Sequence, residues 1–335
     1  MKDIAEHQHI DIDSFHNEIL PAGQPAVFRS LVKDWPAVST CADSPRAACD
    51  YLSQYALGNP VHTLAAPPEA NGRFFYNDEL TAANFRQGQF PLREVLAQML
   101  AMADDDNVHA IAIQALSVRD ELPSFEKENQ FNLLGGDVAP SMWISNRSKV
   151  APHFDEDRNL ACVVSGRREF VVFPPDQISN LYIGPMLTTP GGVPISLVDA
   201  WDPDLERFPR FAEARAAAQT ATLEPGDAIF IPSLWWHGVR SLESFNVLVN
   251  YWWGGRSDYG VSSHDSLLHA MLSIAQLDDT QRRAWRDYFD YFVFKTGEDP
   301  AAHLPSSVED FATSLNPNQA KQARSILSQR LNLND

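Results

Sequence analysis

The stretch Leu160-Ala-Cys-Val-Val164-Ser165-Gly166-Arg-Arg-Glu169-Phe-Val-Val-Phe173-Pro174-Pro175 decides the fold. Two short runs rich in β-branched and aromatic side chains flank a Ser-Gly turn, and a pair of prolines stops the second run. That texture predicts strands at Leu160–Val164 and Glu169–Phe173. It continues in both directions, with further β segments expected at His109–Leu116, Ser141–Ser145, Ala228–Ile231 and Asn246–Trp252. Explicit turns separate them, among them Pro190-Gly191-Gly192 and Leu223-Glu-Pro225-Gly226-Asp227. In the latter, Pro225 fixes φ and Gly226 accepts a positive φ, as a type II turn requires. Many short strands with close turn signals predict a sandwich or barrel over about residues 109–253.

Outside that block the texture is different. Pro25–Val32 reads as a strand leading into the Asp34-Trp35-Pro36 turn, and Ser44–Leu57 as a short helix. Leu92–Met102 has helical spacing with Pro91 at its first turn, and Asp104–Asp106 is a solvated loop at its end. Phe208–Gln219 predicts a helix inserted among the strands. After Gly260 the chain reads as helices at Ser263–Gln276, Asp279–Phe294, Ser307–Leu315 and Asn318–Leu331, with Asp279 and Ser307 as N-caps. Trp285, Tyr288, Phe289 and Phe292 recur at helical spacing, which suits either a core stripe or a surface that pairs helices. The expected organisation is a domain over residues 1–259 and a helical region over 260–335.

Composition excludes several classes. The chain has 335 residues, 44% hydrophobic and 21% charged, too apolar for disorder and long enough for a sizeable core. Three cysteines, Cys41, Cys49 and Cys162, cannot form a dense disulfide framework. The opening MKDIAEHQHIDID lacks the basic start and apolar stretch of a signal peptide, and no run approaches the ~18 apolar residues of a membrane helix. A cytoplasmic chain with no membrane partner is expected. The formal net charge of -18 repels a phosphate backbone, so no nucleic-acid partner is expected either.

The residues that carry chemistry are His153, Asp155 and His237. His153-Phe154-Asp155 at i and i+2 on a strand puts an imidazole and a carboxylate on one face, within reach of one metal. A second imidazole from a distant strand completes the 2-His-1-carboxylate pattern that leaves coordination positions open. The short motif is not specific. Ten His and 28 Asp in this chain give roughly one His-x-Asp by chance, and a second one exists at His9-Ile10-Asp11. That copy lies in a polar stretch with no strand around it and is expected to be solvent-exposed. His153 opens onto a β run, and His237 ends Ile231-Pro-Ser-Leu-Trp-Trp-His237 after a Pro-Gly turn and an apolar strand. On residues alone the two histidines are metal ligands or core histidines satisfied by hydrogen bonds. Alternation places Asn246, Leu248, Asn250 and Trp252 on one face, and Arg168 with Phe170 and Val172 on another. Arg168 is either a surface charge or a clamp for the distal end of a dicarboxylate.

Longer blocks resemble the JmjC, or cupin-like, 2-oxoglutarate oxygenases and, within them, the protein asparaginyl hydroxylases. They run from Trp143 through His153-Phe-Asp155 to Asn159, and from Ser165-Gly166 to Pro174-Pro175. They resume at Pro203-Asp204, Phe208-Pro209, Leu223–Asp227 and Phe230–His237, and end at Asn250-Tyr-Trp252. Gln24-Pro25, Asp34-Trp35-Pro36, Tyr76-Asn-Asp78 and Asn84-Phe85 extend the likeness towards the amino terminus.

The resemblance implies a double-stranded β-helix (cupin, jelly-roll) core within a mainly β fold, an N-terminal α/β elaboration and a C-terminal helical region. It implies Fe(II) held by His153, Asp155 and His237, with 2-oxoglutarate and O2 as co-substrates. Asn159, Arg168, Asn250 and Gln114 fall to the 2-oxoglutarate side, and Tyr76, Trp143, Trp235 and Trp252 to the substrate side. Arg168 stands where the family commonly has Lys, keeping the charge on a longer planar head. Val150-Ala151-Pro152 stands where a Thr often precedes the motif, and Ile111–Gln114 lacks a Tyr that the family uses there. The implied reaction is hydroxylation of a protein side chain or a small molecule, with release of succinate and CO2. The aromatic stripe is implied to pair two chains into a homodimer. A metal cupin enzyme independent of 2-oxoglutarate, and a catalytically silent binding module, are the rival readings.

Overall fold

The computed structural model describes residues 1–42, 44–255, 259–305 and 316–332. The chain separates into two units, Met1–Gly255 and Arg256–Asp335. Among the described residues of the first, two β-sheets and several helices make a mixed β/α fold.

The six-stranded sheet contains β1 (Lys2–Asp3), β5 (Arg73–Phe74), β9 (Lys149–His153), β11 (Arg168–Phe173), β12 (Gln219–Leu223) and β14 (Trp236–Ser241). Its order is β1-β12-β11-β14-β9-β5. In the nine-stranded sheet are β2 (Ala5–His7), β3 (Ala26–Phe28), β4 (Pro60–Ala66), β6 (Arg86–Pro91) and β7 (Ala110–Ser117). The remaining members are β8 (Pro140–Ser145), β10 (Arg158–Ser165), β13 (Ala228–Ile231) and β15 (Asn246–Trp253). The order is β2-β3-β13-β10-β15-β8-β7-β4-β6.

Alternation sorts the side chains into layers. On β11, Phe170 and Val172 face the nine-stranded sheet and pack with Ala161, Val163, Ile229 and Leu248. Val171 and Phe173 point the other way, against Leu181, Val198, Phe211 and Trp236. β10 is buried on both faces: Leu160, Cys162 and Val164 join the N-terminal helices in the largest apolar cluster. That explains why its sequence is a continuous apolar run, which a half-exposed strand cannot be. The Ser165-Gly166 turn sends the chain from one sheet to the other. Gly166 has φ +71°, and a Cβ there would fall 2.4 Å from Asn246 Oδ1, so the turn requires glycine.

Several elements are shorter than their sequence texture predicts. The strand at Pro25–Val32 is only Ala26–Phe28, because Ser30 has φ +58° and turns the chain so that its N–H donates to Asp227 Oδ1. The insertion helix is Phe211–Ala217 rather than Phe208–Gln219, since Ala218 is extended and Gln219 opens β12. The helix expected at Ser44–Leu57 spans Pro45–Tyr55, with Ser44 Oγ accepting from Ala47 N–H as N-cap. Gly226 has φ +96° and Asp227 N–H donates to Glu224 O, the turn that the Pro-Gly pair predicts.

The second unit carries helices Ser263–Ser273, Asp279–Phe292 and Pro317–Asn332. The N-cap of the middle helix is Asp278, not Asp279: Asp278 accepts from the N–H groups of Thr280 and Gln281, and Asp279 is the first helical residue. The helix expected at Ser307–Leu315, with its cap Ser307, lies outside the described residues. On the middle helix Trp285, Tyr288 and Phe292 are exposed and Phe289 is half-buried.

Candidate metal centre

β9 and β14 pair antiparallel with His153 directly opposite His237. Cross-strand partners on one face lie close enough for their side chains to meet, and the two imidazole centroids are 4.3 Å apart. Asp155 lies past the end of β9, in the turn to β10 rather than on a strand. The i, i+2 spacing therefore works through a turn: Phe154 packs against Trp236 while the next residue swings back beside the histidines. Leu234 N–H donates to Asp155 O at 2.9 Å, tying that turn to the loop before His237.

One ligand atom from each of His153, Asp155 and His237 lies within 4.8 Å of the others, the one such group of three among the described residues. Each histidine is oriented through its Nδ1, His153 to Ala151 O at 3.0 Å and His237 to Trp235 O at 3.1 Å. This leaves Nε2 of each for a metal. Burial pushes the His237 pKa down from 6.5 to about 4, and the neighbouring His153 adds to the shift. A neutral imidazole near neutral pH is the form that can ligate. The donor set and its orientation fit a divalent iron-type ion.

The triad opens into a cavity of ≈ 130 Å³ between the two sheets. Arg168, at the start of β11, lines it and is 5% exposed. Its Nε and Nη2 have no hydrogen-bond partner among the described residues, and burial pushes its pKa down to about 10. An unpaired guanidinium in an enclosed space fits an anion, as the distal carboxylate of 2-oxoglutarate demands. Asn159 and Asn250 line the same cavity and are linked, Asn250 Nδ2 donating to Asn159 Oδ1 at 3.3 Å. Trp143 Nε1 donates to Asn250 Oδ1 at 2.8 Å. Asp155 Oδ2 accepts from Asn159 Nδ2 at 3.3 Å and from Trp252 Nε1 at 3.0 Å. Gln114 also lines the cavity, beside Ala115 at φ +48° in an irregular stretch of β7.

Tyr76 and Trp235 are placed differently from the other two aromatic candidates, Trp143 and Trp252. Tyr76 is buried against Ala151 and Ile195, with its hydroxyl donating to Pro185 O, and does not line the cavity. Trp235 packs in the core between the sheets and reaches the site only through its backbone carbonyl. The sequence reading missed the apolar wall formed by Leu64, Phe74, Phe85 and the Pro190–Ile195 segment. Leu64 lies on β4, whose Pro60-Val-His-Thr-Leu-Ala-Ala66 is of mixed composition, and Phe74 on the two-residue β5, so periodicity carries little signal there; Asn84-Phe85 and the Pro190 turn were the available cues. The rival His9-Ile10-Asp11 is a helix start: Asp11 accepts from Ser14 N–H at 2.8 Å.

Comparison with known sequences agrees with this geometry. The cupin-like domain profile matches residues 12–259. HSPB1-associated protein 1 of Rattus norvegicus is 36% identical over 250 residues, covering 70% of this chain and 49% of that protein. Lysine-specific demethylase JMJ31 of Arabidopsis thaliana is 29% identical over 171 residues, covering 51% and 29%. Jumonji C domain-containing protein 5 of Drosophila melanogaster is 25% identical over 262 residues, covering 75% and 60%. The chain thus spans between 29% and 60% of the length of these relatives.

Proposed function

We propose, because the chain belongs to the cupin-like domain family and brings a 2-His-1-carboxylate triad to one cavity, that it is an Fe(II)- and 2-oxoglutarate-dependent oxygenase that hydroxylates its substrate. The observation that carries the reading is the pairing of that triad with the partnerless guanidinium of Arg168 in one enclosed space. A metal site alone suits many cupin chemistries; a buried cation in the same cavity asks for an anionic co-substrate.

In this reading the two-sheet core is a double-stranded β-helix, residues 1–259 form the oxygenase domain, and 260–335 form a helical region. His153, Asp155 and His237 would hold the metal, and with three protein ligands it would keep positions for the co-substrates. Arg168 holds the distal carboxylate of 2-oxoglutarate, while Asn159, Asn250 and Gln114 orient its near end. Fe(II) and 2-oxoglutarate together supply oxygen activation, one oxygen atom leaving in succinate after loss of CO2 and the other entering a substrate C–H bond. The walls of Leu64, Phe74 and Phe85 exclude water and support an uncharged substrate group. Among the described lining residues the acidic one is Asp155, at the metal, which favours hydroxylation of a neutral protein side chain or small molecule over attack at a cationic methyl-lysine. The narrower likeness to asparaginyl hydroxylases rests on the sequence blocks quoted above. The exposed Trp285, Tyr288 and Phe292 face supports a homodimer. Three buried free cysteines, Cys41, Cys49 and Cys162, support the cytoplasm as its compartment.

The test is succinate release from 2-oxoglutarate by the purified full chain with Fe(II) and O2. Fe(II)-dependent succinate, present even without substrate at a low uncoupled rate, supports the reading. Oxygen uptake without 2-oxoglutarate consumption identifies a different metal cupin enzyme. Binding of 2-oxoglutarate with no turnover under any tested condition identifies a silent binding module.

A further inference from the structure

We propose that Trp252 is a positioning residue for Asp155: its indole N–H sets the orientation in which the carboxylate meets a divalent metal. The inference rests on the metal site proposed above but concerns a residue outside the triad. Trp252 Nε1 and Asn159 Nδ2 both donate to Asp155 Oδ2, at 3.0 and 3.3 Å. The same oxygen lies 3.6 Å from His237 Nε2, so the donors act on the side of the carboxylate turned towards the second histidine.

Asp155 needs this support for a structural reason. The histidines are held by paired strands of the six-stranded sheet, but Asp155 sits in a turn with no ladder to fix it. Its backbone is tied by Leu234 N–H, which leaves the side-chain torsions free. Trp252, in contrast, stands on β15 in register with Asn159 on β10, in the nine-stranded sheet. Its ring packs edge-on against Trp143, 5.8 Å between centroids, and Trp143 is itself anchored to Asn250. The carboxylate is therefore the point at which one sheet steadies a metal site built mainly on the other. Outer hydrogen bonds to a ligating carboxylate fix its angle, and losing one costs roughly 10- to 100-fold in metal affinity.

The test is Mn(II) affinity by calorimetry, which needs no turnover, on the full-length wild type and on Trp252→Phe, Trp252→Leu and Trp252→His. The first two remove the N–H with different losses of packing; the third keeps a ring N–H. We expect both donorless variants to bind Mn(II) about 10-fold or more weakly, with metal-free melting temperatures close to wild type and with affinity largely kept by Trp252→His. Any folded donorless variant that binds as wild type overturns the inference, as does an equal loss in all three variants, which would make the role one of packing. Failure of the wild type to bind Mn(II), with His153→Ala as the comparison, would instead overturn the metal site itself.

Discussion

Two stretches of this chain read His-x-Asp, and the fold gives them opposite uses. His9-Ile10-Asp11 lies at a helix start, where Asp11 accepts the Ser14 N–H and faces water. His153-Phe154-Asp155 lies at the end of a strand whose antiparallel partner brings His237 opposite His153. A metal triad is a property of three positions in space, and a three-residue motif supplies only two of them. The largest expected effect tests this contrast. Asp155→Ala should lower uncoupled 2-oxoglutarate turnover roughly a thousand-fold or more, because a carboxylate ligand is lost outright. Succinate assays on both Asp variants read it directly; comparable losses in Asp155→Ala and Asp11→Ala would erase the distinction between the two stretches.

The next effect belongs to Arg168, whose Nε and Nη2, without a hydrogen-bond partner among the described residues, set the buried site apart from the exposed one. Arg168→Met should raise the 2-oxoglutarate KM roughly 100-fold, the cost of losing a charge-assisted pair in an enclosed space. Arg168→Lys keeps the charge but loses the planar fork, and should raise it about 10-fold. A KM unchanged in Arg168→Met would remove the co-substrate role.

What could be read in advance follows from how far each relation reaches along the chain. The strands Leu160–Val164 and Glu169–Phe173 are legible because alternation and turns are local. So is the shared face of Arg168 and Phe170, which the structure turns into the cavity. The contact of Trp252 with Asp155 joins residues 97 positions apart and depends on β10 and β15 lying side by side, which no local pattern encodes. For the same reason Tyr76 and Trp235, the latter only two residues from His237, end up packed away from the cavity. The choice of Asp278 over Asp279 as cap was a matter of one residue between two equally suitable carboxylates. The i, i+2 argument for His153 and Asp155 reached the right neighbours by an incomplete route, since the strand ends at His153.

A smaller effect comes from His237. Its pKa falls from 6.5 to about 4 because burial penalises the charged ring and His153 adds to that penalty. As pH drops through 6.5 the unfolded chain takes up a proton that the folded, metal-free chain refuses until about pH 4. Protons in that window favour unfolding, so the metal-free protein should lose melting temperature between pH 6.5 and 4. His237→Gln should flatten the slope there; parallel slopes for wild type and variant would show that the depressed pKa is not a property of the fold.

The smallest effect is the most informative about the motif. Asp11→Ala removes an N-cap acceptor from a three-residue helix at the surface and touches none of the residues that line the cavity. Its turnover and Mn(II) affinity should stay within about twofold of wild type, with only a slight fall in melting temperature. The hydrogen bond to Ser14 N–H also holds the Asp11 carboxyl below the usual carboxylate range, so Asp11 stays ionised at neutral pH just as a metal ligand must. The residue pattern and its spacing are thus shared by both stretches, and what separates them is the second histidine across the strand pair. A loss of Mn(II) binding in Asp11→Ala comparable to that of Asp155→Ala would mean that a His-x-Asp pair suffices on its own, and the argument from strand pairing would fall with it.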